Sequence, residues 1–156
     1  MGKRDSEITG KDEIEAILRK ATVMRIALCN VNMPYVVPVA FGYKEGAVYF
    51  HSSRKGMKMD IIRKNNNICF EVETDVALVE GEKACNFDFE YRSVIGFGTA
   101  HILESDEEKR KGFDILMAHY ADPPFEYKPQ GLKAACVVKI EIDGMKGKKS
   151  DGTTFA

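Results

Sequence analysis

Residues 22–52 decide the fold: TVMRIALC (22–29), the turn NVNMP (30–34), YVVPVAFG (35–42), the turn YKEG (43–46) and AVYFHS (47–52). Three runs rich in β-branched and aromatic residues, separated by Asn, Pro and Gly, read as a three-strand meander. Pro38 inside the second run removes a ladder donor. That strand is therefore an edge, is bulged, or faces something other than a neighbouring strand at that point.

Working outward, NICFEVE (67–73) sets Ile68, Phe70 and Val72 against Cys69, Glu71 and Glu73, the alternation of a half-buried antiparallel strand. FDFEYRSVIGFGTAHILE (87–104) is the longest strand-like run, and its Gly96 and Gly98 predict a sharp bend or bulge in a strongly curved sheet. KAACVVKIEIDG (133–144) alternates Val138, Ile140 and Ile142 with Lys139, Glu141 and Asp143. Helices are expected between these strands. Residues 1–21 form the first, capped by Thr9 with Asp12 and burying Ile14, Ile17, Leu18 and Ala21. MKMDIIRKNNN (57–67) gives a short one with Met57, Ile61 and Ile62 on one face, stopped by the asparagines. Ser105 and Glu108 form a capping box for a third, through about Tyr120, with Phe113, Leu116, Met117 and Tyr120 apolar. Residues 121–131 read as loop and 145–156 as a loosely held polar tail. The sum is one domain over 1–156, all-β/α+β, an antiparallel barrel with flanking helices rather than alternating βαβ units.

Of the 156 residues, 44% are hydrophobic and 30% charged, with 23 Lys plus Arg against 24 Asp plus Glu. The net charge of −1 excludes a globally basic nucleic-acid or membrane-surface protein. No apolar run is long enough to span a bilayer, and MGKRDSEITG lacks the apolar stretch of a secretory signal, so a cytoplasmic location is expected. Cys29, Cys69, Cys85 and Cys136 stand singly in hydrophobic surroundings. They are expected to be buried reduced thiols, and no metal site is expected from their spacing.

The densest polar cluster is HSSRKGMK (51–58), at a strand end and opening a helix. Hydroxyls, cations and free backbone N–H groups converge there, which suits a phosphate; a solvated basic turn is the plain alternative. One hairpin away, the backbone of YVVPVAFG could bond the edge of a flat ring while Val37, Val39 and Phe41 pack around it. Together the two features fit a mononucleotide. In YRSV (91–94), Arg92 either pairs with the acidic surface or reaches a bound anion or a neighbouring protomer. No G-x-S-x-G elbow, acid pair or strand-to-helix G-x-G-x-x-G is present. His101 and His119 read as structural or surface residues.

Taken together, residues 25–72 and YRSVIGFGTAHIL (91–103) resemble the pyridoxamine 5'-phosphate oxidase-like FMN-binding split barrels, and within them the nitroimidazole-resistance group. Three segments carry the likeness: PYVVPV (34–39), YFHS (49–52) with Gly56-Met57-Lys58 downstream, and Tyr91-Arg92-Ser93-Val94 followed by Gly96 and Gly98. The resemblance implies a homodimeric split β-barrel with FMN at the seam. It places the flavin ring against Val37, Pro38, Val39 and Ala40, with Phe41 adjoining. It puts His51, Ser52 and Ser53 at the ring and ribityl phosphate, Lys58 on the phosphate, and Arg92 and Ser93 across the dimer interface, with Lys146 or Lys148 as a further phosphate contact. His51 is implied to position a substrate or protonate a reduced product, while electrons reach small organic substrates, nitroaromatic compounds among the candidates, through the flavin from an external donor. With no Trp in the chain, oxidation of pyridoxamine phosphate itself is disfavoured. The same cradle would serve a non-catalytic flavin- or haem-binding sensor or store.

Overall fold

The computed structural model describes residues 5–151. These comprise eight strands, four α-helices and a 3-10 turn at Ala84–Asn86. In chain order they are β1 (Asp5–Ile8), α1 (Lys11–Lys20), β2 (Met24–Asn30), β3 (Met33–Val39), β4 (Phe41–Lys44), β5 (Ala47–Ser52), α2 (Met57–Lys64), β6 (Asn67–Val79), β7 (Asp88–Leu103), α3 (Asp106–Ala118), α4 (Pro129–Ala134) and β8 (Cys136–Asp151).

One antiparallel sheet runs β3-β2-β6-β7-β8-β5-β4, with β1 paired to β8. The expected meander is therefore corrected. YVVPVAFG is not one strand between two neighbours but two strands on opposite edges: β3 pairs with β2, and β4 pairs with β5. Only Ala40 separates them. The chain itself crosses from one sheet edge to the other there, closing a split barrel covalently where no ladder does. Pro38 and Pro34 are tolerated because β3 is an edge.

That crossing is bolted from α3. Phe41 N–H donates to Tyr120 Oη (3.0 Å), which in turn donates to the Thr22 carbonyl (2.8 Å). His119 Nε2 donates to the Ala21 carbonyl (2.6 Å), and its ring lies 4.6 Å from that of Phe41. His119 is thus structural. Inside, Leu18, Met24, Ile26, Phe41, Phe50, Phe70, Val72 and Ile140 are fully buried, each contributing roughly 1.5–3 kcal/mol of apolar burial. Gly96 lets β7 pass over Phe70, since a Cβ there would lie 2.1 Å from the ring. The β7–β8 register shifts between Phe97 and Gly98, the bulge that the glycines signal. The Ser105–Glu108 capping box forms as expected.

Other boundaries differ from expectation. The N-terminal segment holds strand β1 before its helix, and Gly10 rather than Thr9 caps α1, without a side-chain bond. The supposed tail is the second half of β8, paired with β7 through Asp151 and with β1 through Ser150; residues 152–156 lie outside the described residues. Its signal was hidden because a glycine stands at an inward position: Gly147 pairs with the buried Val94, and a Cβ there would sit 2.7 Å from Ile8 Cβ, so the glycine makes room for β1, while Ser150 is buried on the opposite face. In α2, Met59 is buried with Ile61 and Ile62 while Met57 is exposed. Residues 129–134, in part read as loop, form α4. All four cysteines are free, but only Cys136 is buried; Cys29 and Cys85 are exposed and Cys69 is intermediate.

Candidate flavin site

Phe41 of β4 pairs with Phe50 of β5 as the last rung of that ladder, so Ala40, just before β4, and His51, still paired with β8, lie at the same end of it. The end of β3 is thereby brought beside the start of the β5–α2 loop. Pro38 and Ala40 face outward, Val37 is half-buried, and Val39 and Phe41 point into the core. A ligand on this strand meets Val39 and Phe41 through backbone rather than side chain.

In the loop, Ser53 Oγ donates to the Lys55 carbonyl (2.7 Å), and Gly56 turns the chain at φ +117 into α2. That conformation suits glycine. No side chain caps α2, so the N–H groups of its first turn keep their bonding capacity. Lys58, half-buried, holds its ammonium 5.6 Å from the centroid of the Phe50 ring, and burial lowers its pKa. Burial also lowers the pKa of His51, and the Lys58 charge adds to it. Both effects favour the neutral imidazole of His51, whose ring lies 5.8 Å from that of Phe113. Ser52 pairs with Cys136 across the β5–β8 ladder. Arg54 is turned away toward α4, giving Nη2 to the Lys133 carbonyl (2.5 Å).

The remaining expected residues stand elsewhere. His51 pairs with Val137 at the start of β8, whereas Arg92 and Ser93 pair with Lys149 and Lys148 near its far end. Arg92 is engaged within its own chain, donating to the Tyr91 and Ser150 carbonyls (3.0 and 3.1 Å) and forming an ion pair with Asp151 (2.5 Å). Ser93 is buried. Lys148 Nζ lies 5.9 Å from the Tyr91 ring centroid and lines a cavity of about 730 Å3 with Ile95, Phe97, Met145 and Lys146. One protomer therefore holds two separated groups: Ala40, His51, Ser52 and Lys58 at one end, and Arg92, Ser93 and Lys148 at the other.

A residue the sequence reading passed over is Glu71. On the outer face of β6 it is pushed up to about 7, first by burial and then by Glu73, against the pull of Arg25. Arg25 Nη1 lies 2.8 Å from Glu73 and 3.5 Å from Glu71. The signal was available: two acids at i, i+2 share one strand face.

With this geometry in view, comparison with known proteins is decisive at family level. The pyridoxamine 5'-phosphate oxidase profile matches residues 10–149. The chain belongs to the pyridoxamine 5'-phosphate oxidase family. A candidate 5-nitroimidazole antibiotic resistance protein of Bacteroides thetaiotaomicron VPI-5482 is 31% identical, with TM-score 0.85 over 96% of this chain and 89% of that one. Two more distant structures share the fold at 20% identity. They are the flavocytochrome Anf3 of Azotobacter vinelandii (TM-score 0.83, 96% of this chain and 72% of that one) and an FAD- and haem-binding protein of Mycobacterium smegmatis (0.85, 99% and 77%). No curated protein matches the sequence. Among the described residues, no helix is long and apolar enough to cross a membrane.

Proposed function

We propose that this family member is a homodimeric, FMN-dependent reductase of small organic compounds, nitroaromatic ones included, supplied with electrons by an external donor. The observation that carries the reading is the Phe41–Phe50 rung, which brings Ala40 and His51 to the same end of the ladder and so sets the β3 edge beside the uncapped start of α2 and Lys58. These residues fit the cofactor: an edge strand has unpaired backbone groups for a ring, and the α2 N–H groups, Ser52, Ser53 and Lys58 form a donor set for a phosphate. Bound flavin would supply the hydride and electrons. The chain's own part is to hold the ring on β3, to balance the phosphate charge with Lys58, and to place the neutral imidazole of His51 where it can hold or pass a proton.

The separation of Arg92, Ser93 and Lys148 from His51 favours a site completed by a second copy. The outer face of β3, β2, β6, β7 and β8 is the matching surface, with Val36, Ile95 and Phe97 exposed and Lys146 and Lys148 at its margin. The nitro-substrate reading rests on the 31%-identical relative.

An absorption spectrum, FMN titration and steady-state assay with a nitro compound test this. Purified protein should be yellow. Lys58→Ala should weaken FMN binding about tenfold or more, by the loss of a charge-assisted contact. His51→Ala should keep flavin but lower turnover. FMN affinity unchanged in Lys58→Ala would overturn the phosphate assignment, and a single turnover in wild type would make the protein a store.

A further inference from the structure

Where the β5–α2 loop, the end of β7, the first turns of α3 and the start of β8 meet, a cavity of about 100 Å3 is lined by Arg54, Arg63, Leu103, Glu104, Lys109 and Cys136, among others. Lys109 is only 5% exposed. Among the described residues it makes no hydrogen bond or ion pair. No described side-chain nitrogen is sealed off without a partner, so the Lys109 ammonium reaches the open volume of this cavity, where water or an anion meets it.

The surrounding groups add positive charge rather than cancel it. Arg63 donates to the Arg54 carbonyl (2.7 Å) and lies 3.4 Å from Asp60, and Arg54 donates to the Lys133 carbonyl. The carbonyls fix both guanidinium groups without neutralising them, and the Asp60 ion pair offsets part of the Arg63 charge. Glu104 is the one carboxylate in the lining. Burial raises the pKa of Cys136 against the pull of Arg63, Lys109 and Arg54, so the thiol stays neutral and does not supply the missing charge. Ser105 and Glu108 already cap α3. The volume admits a few waters, at roughly 30 Å3 each in the liquid, or one group of comparable size, and excludes a ring system.

We propose that Arg54, Arg63 and Lys109 form a binding site for a small tetrahedral oxyanion, phosphate or sulfate, either free or as the terminal group of a larger ligand. Lys58 does not line this cavity, so the site is separate from the phosphate position assigned to the flavin.

Calorimetric titration of inorganic phosphate into FMN-loaded and flavin-free protein tests the site, with Lys109→Met and Arg63→Gln as variants. Arg63 is half-exposed, so its variant reports even if Lys109→Met fails to fold. The expected result is one phosphate per protomer in the FMN-loaded form, and that phosphate together with a second on the vacant Lys58 donor set in the flavin-free form. Binding should weaken about tenfold or more in either variant, as for loss of a charged hydrogen-bond partner, with FMN affinity unchanged. Absence of saturable phosphate binding overturns the proposal. So does phosphate binding that FMN abolishes and riboflavin does not, because the cavity would then be the flavin's own phosphate site. If the protein takes up no flavin, titration of the flavin-free chain still tests the cavity alone, whatever becomes of the flavin reading.

Discussion

The two faces of β6 and β7 are built from the same strands and obey different rules. Inward, Ile68, Phe70, Val72 and Val94 are almost wholly buried and packed for volume. Outward, the rows across the sheet read Ala27, Cys69, Phe97, Gly144 and Arg25, Glu71, Ile95, Lys146. Phe97 is 60% exposed, and one rung away Glu71 is held near pKa 7. A wall meant only for water would carry neither a line of large apolar groups nor a carboxyl that resists ionisation. The inner face is finished within one chain, whereas the outer face has the composition of a surface to be covered.

The inner face yields the largest expected effect. Phe70→Ala should destabilise the fold by about 3–5 kcal/mol, because the barrel cannot collapse around the missing ring. The same contact can be attacked from the other side. Gly96→Ala would drive a methyl into the Phe70 ring, at a cost of roughly 1–3 kcal/mol. Urea unfolding measures both, and a loss below about 1 kcal/mol for Phe70→Ala would show that the inner face is not close-packed.

Glu71 sharpens the contrast through pH. Its folded pKa of about 7 lies above the ordinary 4.5. The folded state therefore binds the proton more tightly than the unfolded chain. Stability from this group is fully present below pH 4.5 and is lost as pH rises through 7. Glu71→Gln, which stays neutral, should match wild type near pH 4 and exceed it at pH 8, by on the order of 1–2 kcal/mol once partial exposure is allowed for. Unfolding free energies of the two proteins from pH 4 to 8 check this; parallel curves would mean that Glu71 ionises normally.

What could be read from sequence follows from how each signal arises. The strands of the barrel were legible because burial on one face imposes alternation, as at Ile68, Phe70 and Val72, and the capping box at Ser105 because its chemistry is local. The crossing at Ala40 was not, since a chain moving from one sheet edge to the other looks locally like one continuous strand. The second half of β8 was missed because Gly147 makes room for Ile8, a residue far away in sequence. At the candidate site, HSSRKGMK was visible as a polar cluster at a strand end. The turning of Arg54 toward Lys133, and the burial of Lys109 in a second cationic cavity, depend on α3 and α4 packing back, which no local pattern encodes.

The smallest change in intrinsic stability belongs to Phe97, and it is the most telling about the outer face. Its ring is exposed in the single chain, so Phe97→Ser should alter the stability of an isolated protomer by no more than about 0.5 kcal/mol. If two copies meet on this face, the consequence lies in assembly. Wild type should elute as a dimer, and its melting temperature should rise with protein concentration, since association favours the folded state by mass action. The variant should elute near the 17.5 kDa of one chain, with a melting temperature independent of concentration. Its flavin affinity should fall as well, because Arg92, Ser93 and Lys148 of a second copy would no longer reach the ring held at Ala40 and His51. A variant that stays dimeric with unchanged flavin binding would move the seam elsewhere, and the outer face would then differ from the inner one in composition without differing in purpose.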